Sequence, residues 1–230
     1  MSIMNGRAYT SLEKVIYDRN FPKVDTALRH GRHIDRDDGP WFYFLEQAQP
    51  LLEPFYQHFD YELIRADAGY YYLLPLGRRV RRHLLTKAEM LVGQALALLY
   101  LDPTLLGSGG MVTWEHLLTH LNGLVGRDRL VRLLNGHRSP RDERVAEEKA
   151  RQGIMKALNG LEKLGFIRKV SNEAFGLRVA LMRFTEPVQG LSPLEEAMTR
   201  LIREGRAEMP LQDGEALDDD PSDPNDDDPA

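Results

Sequence analysis

Residues 61–75 read YELIRADAGYYYLLP, two runs rich in strand-forming residues around an Asp-Ala-Gly turn, and this pattern predicts a tight β-hairpin. A second hairpin is predicted over 165–185, GFIRKVSNEAFGLRVALMRFT, where a polar turn separates two further β-rich runs. Each hairpin follows segments with helical spacing. Because helices followed by a hairpin are the order of a winged helix-turn-helix, the chain is predicted to contain two such modules.

The predicted fold class is therefore α+β, mainly helical, with tandem winged-helix domains. We expect the N-terminal domain at 1–77 and the C-terminal domain at 78–187, followed by a C-terminal helix at 188–210. The last segment, 211–230, is rich in Asp and Pro and nearly free of large apolar side chains. Such a segment cannot bury enough surface to offset its chain entropy, so it is predicted to be disordered.

Helices are predicted from spacing and capping residues. Trp41–Phe59 has helical spacing, but Pro50 and Pro54 are expected to break or restart the helix. Thr86 and Glu89 form a capping box that opens a strongly apolar helix. Other helices are predicted over Phe21–Gly31, Thr113–Leu121, Ser139–Leu164 and Ser192–Arg206.

The composition limits the location and the chemistry of the protein. None of the 230 residues is cysteine, which excludes disulfides, thiolate metal sites and cysteine nucleophiles. The N-terminus lacks the basic start and apolar core of a secretion signal. The longest apolar run, Met90–Leu101, is shorter than the roughly 20 residues that a membrane span needs. We therefore expect a cytoplasmic protein with no membrane association.

The net charge of −5 arises from the C-terminus. Residues 211–230 contain nine acidic residues and no Lys or Arg, and the rest of the chain has 30 basic and 35 − 9 = 26 acidic residues. The body thus carries a charge of +4, which permits contact with nucleic acid without requiring it.

The helix predicted to end near Leu164 carries a basic stripe. Lys149, Lys156 and Lys163 recur every seven residues and share one face, and Arg151 is expected near them. In a winged helix this is the recognition helix, and the following hairpin is the wing. The candidate DNA-binding residues are Lys149, Arg151, Lys156, Lys163, Arg141, Arg144, Arg168 and Lys169.

An alternative reading of this helix is a solvated face, because Glu147, Glu148 and Glu162 interleave with the lysines.

A second basic cluster precedes the Thr86 capping box. It either binds phosphates, an acidic partner or the acidic segment 211–230, or serves as a solvated linker, and it consists of Arg78, Arg79, Arg81 and Arg82.

Aromatic residues crowd into the N-terminal domain between positions 41 and 72. A small winged domain is not expected to bury all of them, and strand alternation places Tyr71 on the face opposite Tyr70 and Tyr72. One face is therefore a candidate protein interface, with a large local core as the alternative. The candidate partner-binding residues are Trp41, Phe44, Tyr70, Tyr71 and Tyr72.

No catalytic motif is recognisable in the sequence. The glycine-rich stretch 107–110 lacks the Gly-Lys-Ser/Thr of a phosphate-binding loop, and no Gly-x-Ser-x-Gly nucleophile elbow occurs. His30, His33, Asp35 and Asp37 match no metal motif and are predicted to be exposed polar groups at a helix end. We expect no enzyme activity, no cofactor and no metal.

Five blocks of the sequence, in the same order, resemble the MukE family, whose members are accessory subunits of the bacterial condensins MukBEF and MksBEF. The resemblance runs from about Phe21 to Pro210, and the acidic C-terminus also fits. The blocks are FPKVDTALRHGRHI at 21–34, YELIRADAGYYYLLP at 61–75, AEMLVGQALALLYLDP at 88–103, LEKLGFIRKV at 161–170 and RLIREGRAEMP at 200–210.

The resemblance implies a tandem winged-helix protein that dimerises and embraces the central linker of the kleisin MukF or MksF. That assembly joins the SMC ATPase MukB or MksB, entraps double-stranded DNA and compacts the chromosome. The ATPase lies in the SMC partner, which agrees with the lack of a phosphate-binding loop here. The expected function is thus a non-enzymatic, nucleoid-associated condensin subunit.

Two other classes of function stay open at this stage. A winged-helix transcription regulator would need base-reading side chains, and a stripe rich in Lys and poor in Arg suits phosphates better than bases. An enzyme with an unrecognised site is the third reading.

Overall fold

The structure is a computed structural model that describes residues 9–77, 80, 82–108, 110–135, 143–171, 173–188 and 194–204. Within these ranges the chain forms α-helices, short strands and three 3₁₀ segments. The helices are α1 Leu12–Ile16, α2 Phe21–Arg29, α3 Pro40–His58, α4 Lys87–Leu101, α5 Trp114–Val125, α6 Arg127–Asn135, α7 Glu143–Lys163 and α8 Leu194–Glu204. The strands are β1 Ile34–Asp35, β2 Tyr61–Ala66, β3 Tyr70–Pro75, β4 Met111–Thr113, β5 Ile167–Lys169 and β6 Ala174–Leu177. The 3₁₀ segments are Arg36–Asp38, Pro103–Ser108 and Val179–Val188.

Both hairpins are present, and each belongs to a three-stranded antiparallel sheet. In the first sheet, β3 lies between β2 and β1, with Leu63 opposite Leu73. In the second sheet, β6 lies between β5 and β4, with Arg168 opposite Gly176. The α+β, mainly helical fold class is confirmed. The outer strands β1 and β4 were not predicted, because strands of two or three residues are too short to show alternation.

The second strand of the second hairpin is misplaced in the prediction, because β6, Ala174–Leu177, falls almost wholly in the stretch SNEAFG at 171–176 that is predicted as the polar turn. β6 ends at Leu177, and Val179–Val188 is a 3₁₀ segment, so the expectation of a strand reaching Thr185 is wrong. Ala180, Leu181 and Phe184 are buried, which is helical spacing rather than strand alternation. Phe184 fits against Gly93 of α4, where any Cβ would overlap its ring.

The expected break in the aromatic helix is also wrong, because α3 runs unbroken from Pro40 to His58 through Pro50 and Pro54. A proline inside a helix removes one hydrogen bond and crowds the preceding turn. Both prolines lie on the exposed side of α3, where water can satisfy the freed carbonyls. The buried stripe that includes Leu45 and Leu52 crosses both positions, and its packing favours a continuous helix.

Two hydrophobic cores hold the chain together. The first joins α1, α2, α3 and one face of the first sheet around Leu45, Leu52 and Tyr56. The second surrounds α4, whose residues from Met90 to Leu99 are all buried, and includes α5, α7 and α8. Tyr70 and Tyr72 of the first hairpin belong to the second core, so the hairpin lies between the two cores.

The predicted capping box of α4 is confirmed by reciprocal hydrogen bonds. The backbone N of Glu89 donates to Thr86 Oγ1 at 3.2 Å, and the backbone N of Thr86 donates to Glu89 Oε2 at 2.7 Å. Several sequence predictions lie outside the described residues. They are the start of α7 at Ser139, the start of α8 at Ser192, the cluster residues Arg78, Arg79 and Arg81, the candidate Arg141, and the acidic segment 211–230.

Candidate nucleic-acid interface

α7 positions the lysine stripe by burying the other side of the helix. Ile154, Leu158 and Leu161 are buried in the second core, where α7 packs on α4 and α6. Lys149, Lys156 and Lys163 are all exposed. At about 100° per residue, a repeat of seven keeps the three lysines in nearly one line along the helix. The predicted stripe is therefore a surface feature of the folded chain.

Within the part of the chain that the structure describes, the lysines of the stripe have no carboxylate partner. Among the described residues, none of the three has an ion-pair contact within 4 Å. The interleaved glutamates make other contacts: Glu147 pairs with Arg127, Glu148 accepts from Gln152 Nε2 at 3.2 Å, and Glu162 accepts from the backbone N of Lys169 at 3.2 Å. The positive charge of the stripe is thus not neutralised within the described chain.

β5 extends the positive charge beyond the end of α7. Arg168 and Lys169 are exposed on this strand. From Lys149 to Lys169 the sequence holds six basic residues and a single acidic residue, Glu162, a net charge of 6 − 1 = +5. We call the exposed set Lys149, Lys156, Lys163, Arg168 and Lys169 the basic surface.

Arg151 does not belong to the basic surface, contrary to the expectation that it lies near the lysines. Two residues along a helix correspond to about 200°, so Arg151 points away from Lys149. Its guanidinium carbon lies 5.2 Å from the ring centroid of Trp114 in α5. Arg144 is exposed on α7, and both arginines line a cleft of about 290 Å³ between α5, α6 and α7.

The aromatic residues proposed for partner binding are mostly interior. Phe44 and Tyr71 are buried in the first core, while Tyr70 and Tyr72 are buried in the second, and Trp41 is half-buried. The expectation that one face of β3 stays exposed is therefore wrong. The C-terminal half of the chain covers the face that a single small module would have left open.

A buried ionic cluster joins the two halves of the chain. Arg178, 4% exposed, donates from Nε to Asp35 Oδ2 at 3.0 Å, and its terminal nitrogen pairs with both Asp35 and Asp38. Asp38 also pairs with Arg32 at 3.1 Å. Burial opposes the charge of Arg178, but the hydrogen bonds that it donates to the carboxylates of Asp35 and Asp38 outweigh this effect and raise its pKa. The prediction of exposed polar groups is wrong for His33 and Asp35, which are 5% and 2% exposed, whereas His30 and Asp37 are exposed as predicted.

His33 forms a second polar link between the halves. Its backbone N donates to the carbonyl oxygen of Leu164 at 2.8 Å, and its Nδ1 lies 3.1 Å from the same oxygen. Nε2 lies 2.9 Å from a guanidinium nitrogen of Arg183. Burial and the charge of Arg183 lower the pKa of His33 to about 3. The ring is therefore neutral at pH 7, donating from Nδ1 and accepting at Nε2.

The last turn of α7 rests on the N-terminal half. Arg32 donates to the carbonyl oxygen of Lys163 at 3.4 Å, next to the Leu164 bond of His33. Gly165 ends the helix with φ +80°, and a Cβ there would overlap the carbonyl oxygen of His33. Only glycine combines this conformation with so close an approach. The contact fixes the end of α7, and with it Lys163, relative to the N-terminal half.

The described residues offer neither a metal site nor a membrane span. They contain no group of three or more side chains placed to hold a metal ion. None of the helices within them combines the length and the apolar character that crossing a membrane requires.

A polar cleft of about 640 Å³ opens beside the ionic cluster, lined in part by Arg36, Arg65, Asp67 and Tyr100.

Comparison with known proteins bears on the whole chain. The model of the MukE-like family matches residues 9–230. This chain belongs to the MukE family. The resemblance seen in the five sequence blocks is thus confirmed. The family match includes α7, both hairpins, and the residues of the ionic cluster and of the His33 contact.

Curated relatives cover nearly the same length as this MukE-family chain. The chromosome partition protein MukE of Photorhabdus laumondii is 34% identical over 222 residues, 95% of each chain. The protein of the same name from Pasteurella multocida is 36% identical over 205 residues, 87% of this chain and 84% of the relative. That of Escherichia coli K12 is 35% identical over 202 residues, 86% of this chain and 85% of the relative.

Removing Arg178 should strongly destabilise the protein. We expect Arg178→Met to lower the free energy of unfolding by about 3–5 kcal/mol, because Asp35 would remain as a buried, unpaired charge. The matched control is Arg65→Met, which removes the exposed pair with Glu46 and should cost at most about 1 kcal/mol. Urea unfolding at pH 7 measures both, and equal losses would contradict a central role for the cluster.

His33 should make stability depend on pH. The unfolded chain protonates this residue near pH 6.5, whereas the folded chain does so only near pH 3. Stability should therefore fall as the pH drops below 6.5, by about 1.4 kcal/mol per pH unit from this group. Unfolding of wild type and His33→Gln at pH 7.5, 6.5 and 5.5 tests this, since the variant should lack this contribution. His58→Gln, at an exposed position, should behave as wild type.

Proposed function

We propose that this chain is a non-enzymatic subunit of a bacterial SMC condensin that acts in chromosome condensation and segregation. In this proposal it dimerises, binds a kleisin of the MukF or MksF type and contacts double-stranded DNA in the nucleoid. The observation that carries the proposal is membership of the MukE family across residues 9–230, since the curated relatives are named as chromosome partition proteins.

In the same proposal the two halves are winged-helix domains, at 1–77 and 78–187, followed by the helix 188–210 and the acidic segment 211–230. Each half combines helices with a three-stranded antiparallel sheet that contains a hairpin. In the C-terminal half, α5, α6 and α7 precede the β5–β6 hairpin, so α7 stands where a recognition helix would be. This arrangement supports assigning the basic surface to DNA.

The proposed DNA contact is to phosphates rather than to bases. The basic surface presents lysine ammonium groups along α7, which are point charges without the planar fork that reads guanine. Its charge is exposed and has no ion-pair partner among the described residues. Binding by such a surface is weak, salt-sensitive and largely independent of sequence.

The proposed partner contact lies at the start of α3. Among the predicted partner-binding residues, Trp41 keeps exposed surface, and the neighbouring Tyr43 is 58% exposed. Phe44, Tyr70, Tyr71 and Tyr72 would support this region from the interior. Exposed aromatic side chains beside a rigid core are typical of contact sites between proteins.

Charge reversal on α7 tests the DNA contact. Replacing Lys149, Lys156 and Lys163 by Glu should weaken binding about equally for unrelated duplexes. It should reduce the slope of log K against log salt by about one for each phosphate that the variant no longer neutralises. The control reverses Lys14, Lys23 and Lys87, three exposed lysines elsewhere, with the same change in net charge. If wild type and the α7 variant bind DNA equally at low salt, the basic surface is excluded as the DNA-binding site.

Affinity purification from cells tests the assembly. The proposal predicts that SMC and kleisin subunits co-purify with the chain and are identified by mass spectrometry.

Light scattering of the pure protein at micromolar concentration should give the mass of a dimer. A monodisperse monomer, both alone and with a kleisin linker peptide, would overturn the proposed dimer.

A further inference from the structure

We propose that the acidic C-terminal segment, Leu211–Ala230, binds the basic surface of α7 and β5 and competes there with the phosphates of DNA. The competition rests on the proposed DNA contact, and the docking itself does not. The chain would then carry its own regulator of that surface.

The acidic segment and the basic surface have complementary charges. The segment has nine acidic residues and no Lys or Arg, and it turns a body of charge +4 into a chain of charge −5. The basic surface lies in a stretch of net charge +5, from Lys149 to Lys169. The two segments are therefore of opposite sign, and both are dense in charge for their length.

Many cations outside the basic surface are ion-paired or lie singly. Several arginines elsewhere are already paired within the chain: Arg29 with Asp25, Arg65 with Glu46 and Arg127 with Glu147. The exposed lysines outside α7, such as Lys14, Lys23 and Lys87, lie singly on α1, α2 and α4. In the described part of the chain, the basic surface gathers exposed cations that lack a carboxylate partner, so an acidic segment gains new ion pairs by binding there.

The chain that follows α8 is longer than α7. α8 ends at Glu204 and packs on α4 and α5, and α4 also packs on α7. The 230 − 204 = 26 residues that follow span at most about 90 Å when extended, whereas α7 is about 32 Å long. The segment therefore has the reach to lie along α7. A tether of this length gives a local concentration in the millimolar range, so even weak pairing competes with a ligand in solution.

Zero-length cross-linking tests the docking without DNA. Carbodiimide treatment of the full-length protein at 50 mM salt should join carboxylates of 211–230 to Lys149, Lys156 and Lys163, as read by mass spectrometry. These cross-links should exceed those to Lys14, Lys23 and Lys87, and they should fade at 500 mM salt because exposed charges are then screened. Cross-links that are absent, or spread evenly over all these lysines, would overturn the docking.

Binding of a DNA duplex tests the competition. The truncation after Pro210 should bind at least about threefold tighter than the full chain at 50 mM salt, and the difference should shrink as salt rises. A full-length variant with the nine carboxylates replaced by Asn or Gln should behave like the truncation, which separates charge from length. Equal affinity of all three proteins overturns the competition. Cross-linking to α7 without DNA binding by any of them supports the docking and overturns the DNA contact instead.

Discussion

Arg178 is held between Asp35 and Asp38 inside the protein, and the arrangement of the two halves depends on this ionic cluster. Charges removed from water are costly, and their attraction offsets that cost only when the geometry satisfies every partner. Each half has a hydrophobic core, and Tyr70 and Tyr72 pack from the N-terminal half into the second core, but apolar contacts lack the directional requirements of hydrogen bonds and ion pairs. The cluster accepts very few orientations, because a small rotation would leave a guanidinium or a carboxylate buried without a partner.

The same junction connects the candidate DNA-binding helix to the N-terminal half. The carbonyl oxygens of Lys163 and Leu164, at the end of α7, accept hydrogen bonds from Arg32 and His33. Asp35 and Asp38 follow within a few residues, so one short segment holds both the helix end and Arg178. A force applied to α7 would therefore be transmitted to the N-terminal half by these hydrogen bonds and ion pairs, and not only by the linker between the halves.

Local features of the fold are readable from the sequence, and distant contacts are not. The first hairpin, the Thr86 capping box and the seven-residue lysine repeat each depend on residues close together in the chain. Asp35 and Arg178 are 143 positions apart, and nothing in either neighbourhood marks them as partners. The tyrosine run YYY does carry a usable signal, since a strand that is apolar on both faces is typically covered on both faces.

In the candidate site, too, local features can be predicted from the sequence and distant contacts cannot. The basic face of α7 is predictable because helical periodicity is local, whereas Arg151 is close to Lys149 in sequence and yet points to another side of the helix. The unbroken α3 and the 3₁₀ segment after β6 depend on packing partners, α3 on the first core and the 3₁₀ segment on α4. Packing of this kind overrides local propensity, so neither follows from composition or spacing.

The placement of Tyr70 and Tyr72 in the second core has a consequence for biosynthesis. Both rings lie among C-terminal side chains, and Arg183, whose guanidinium carbon lies 3.8 Å from the Tyr72 ring centroid, is made about 110 residues later. At about 5–20 residues per second, a ribosome needs roughly 5–20 s to cover that distance. During this interval the N-terminal half exists with an uncovered aromatic face and without the cation that pairs with Asp35. Until translation has passed the second hairpin, the nascent chain therefore lacks the contacts that bury Tyr70, Tyr72 and Asp35 in the finished protein.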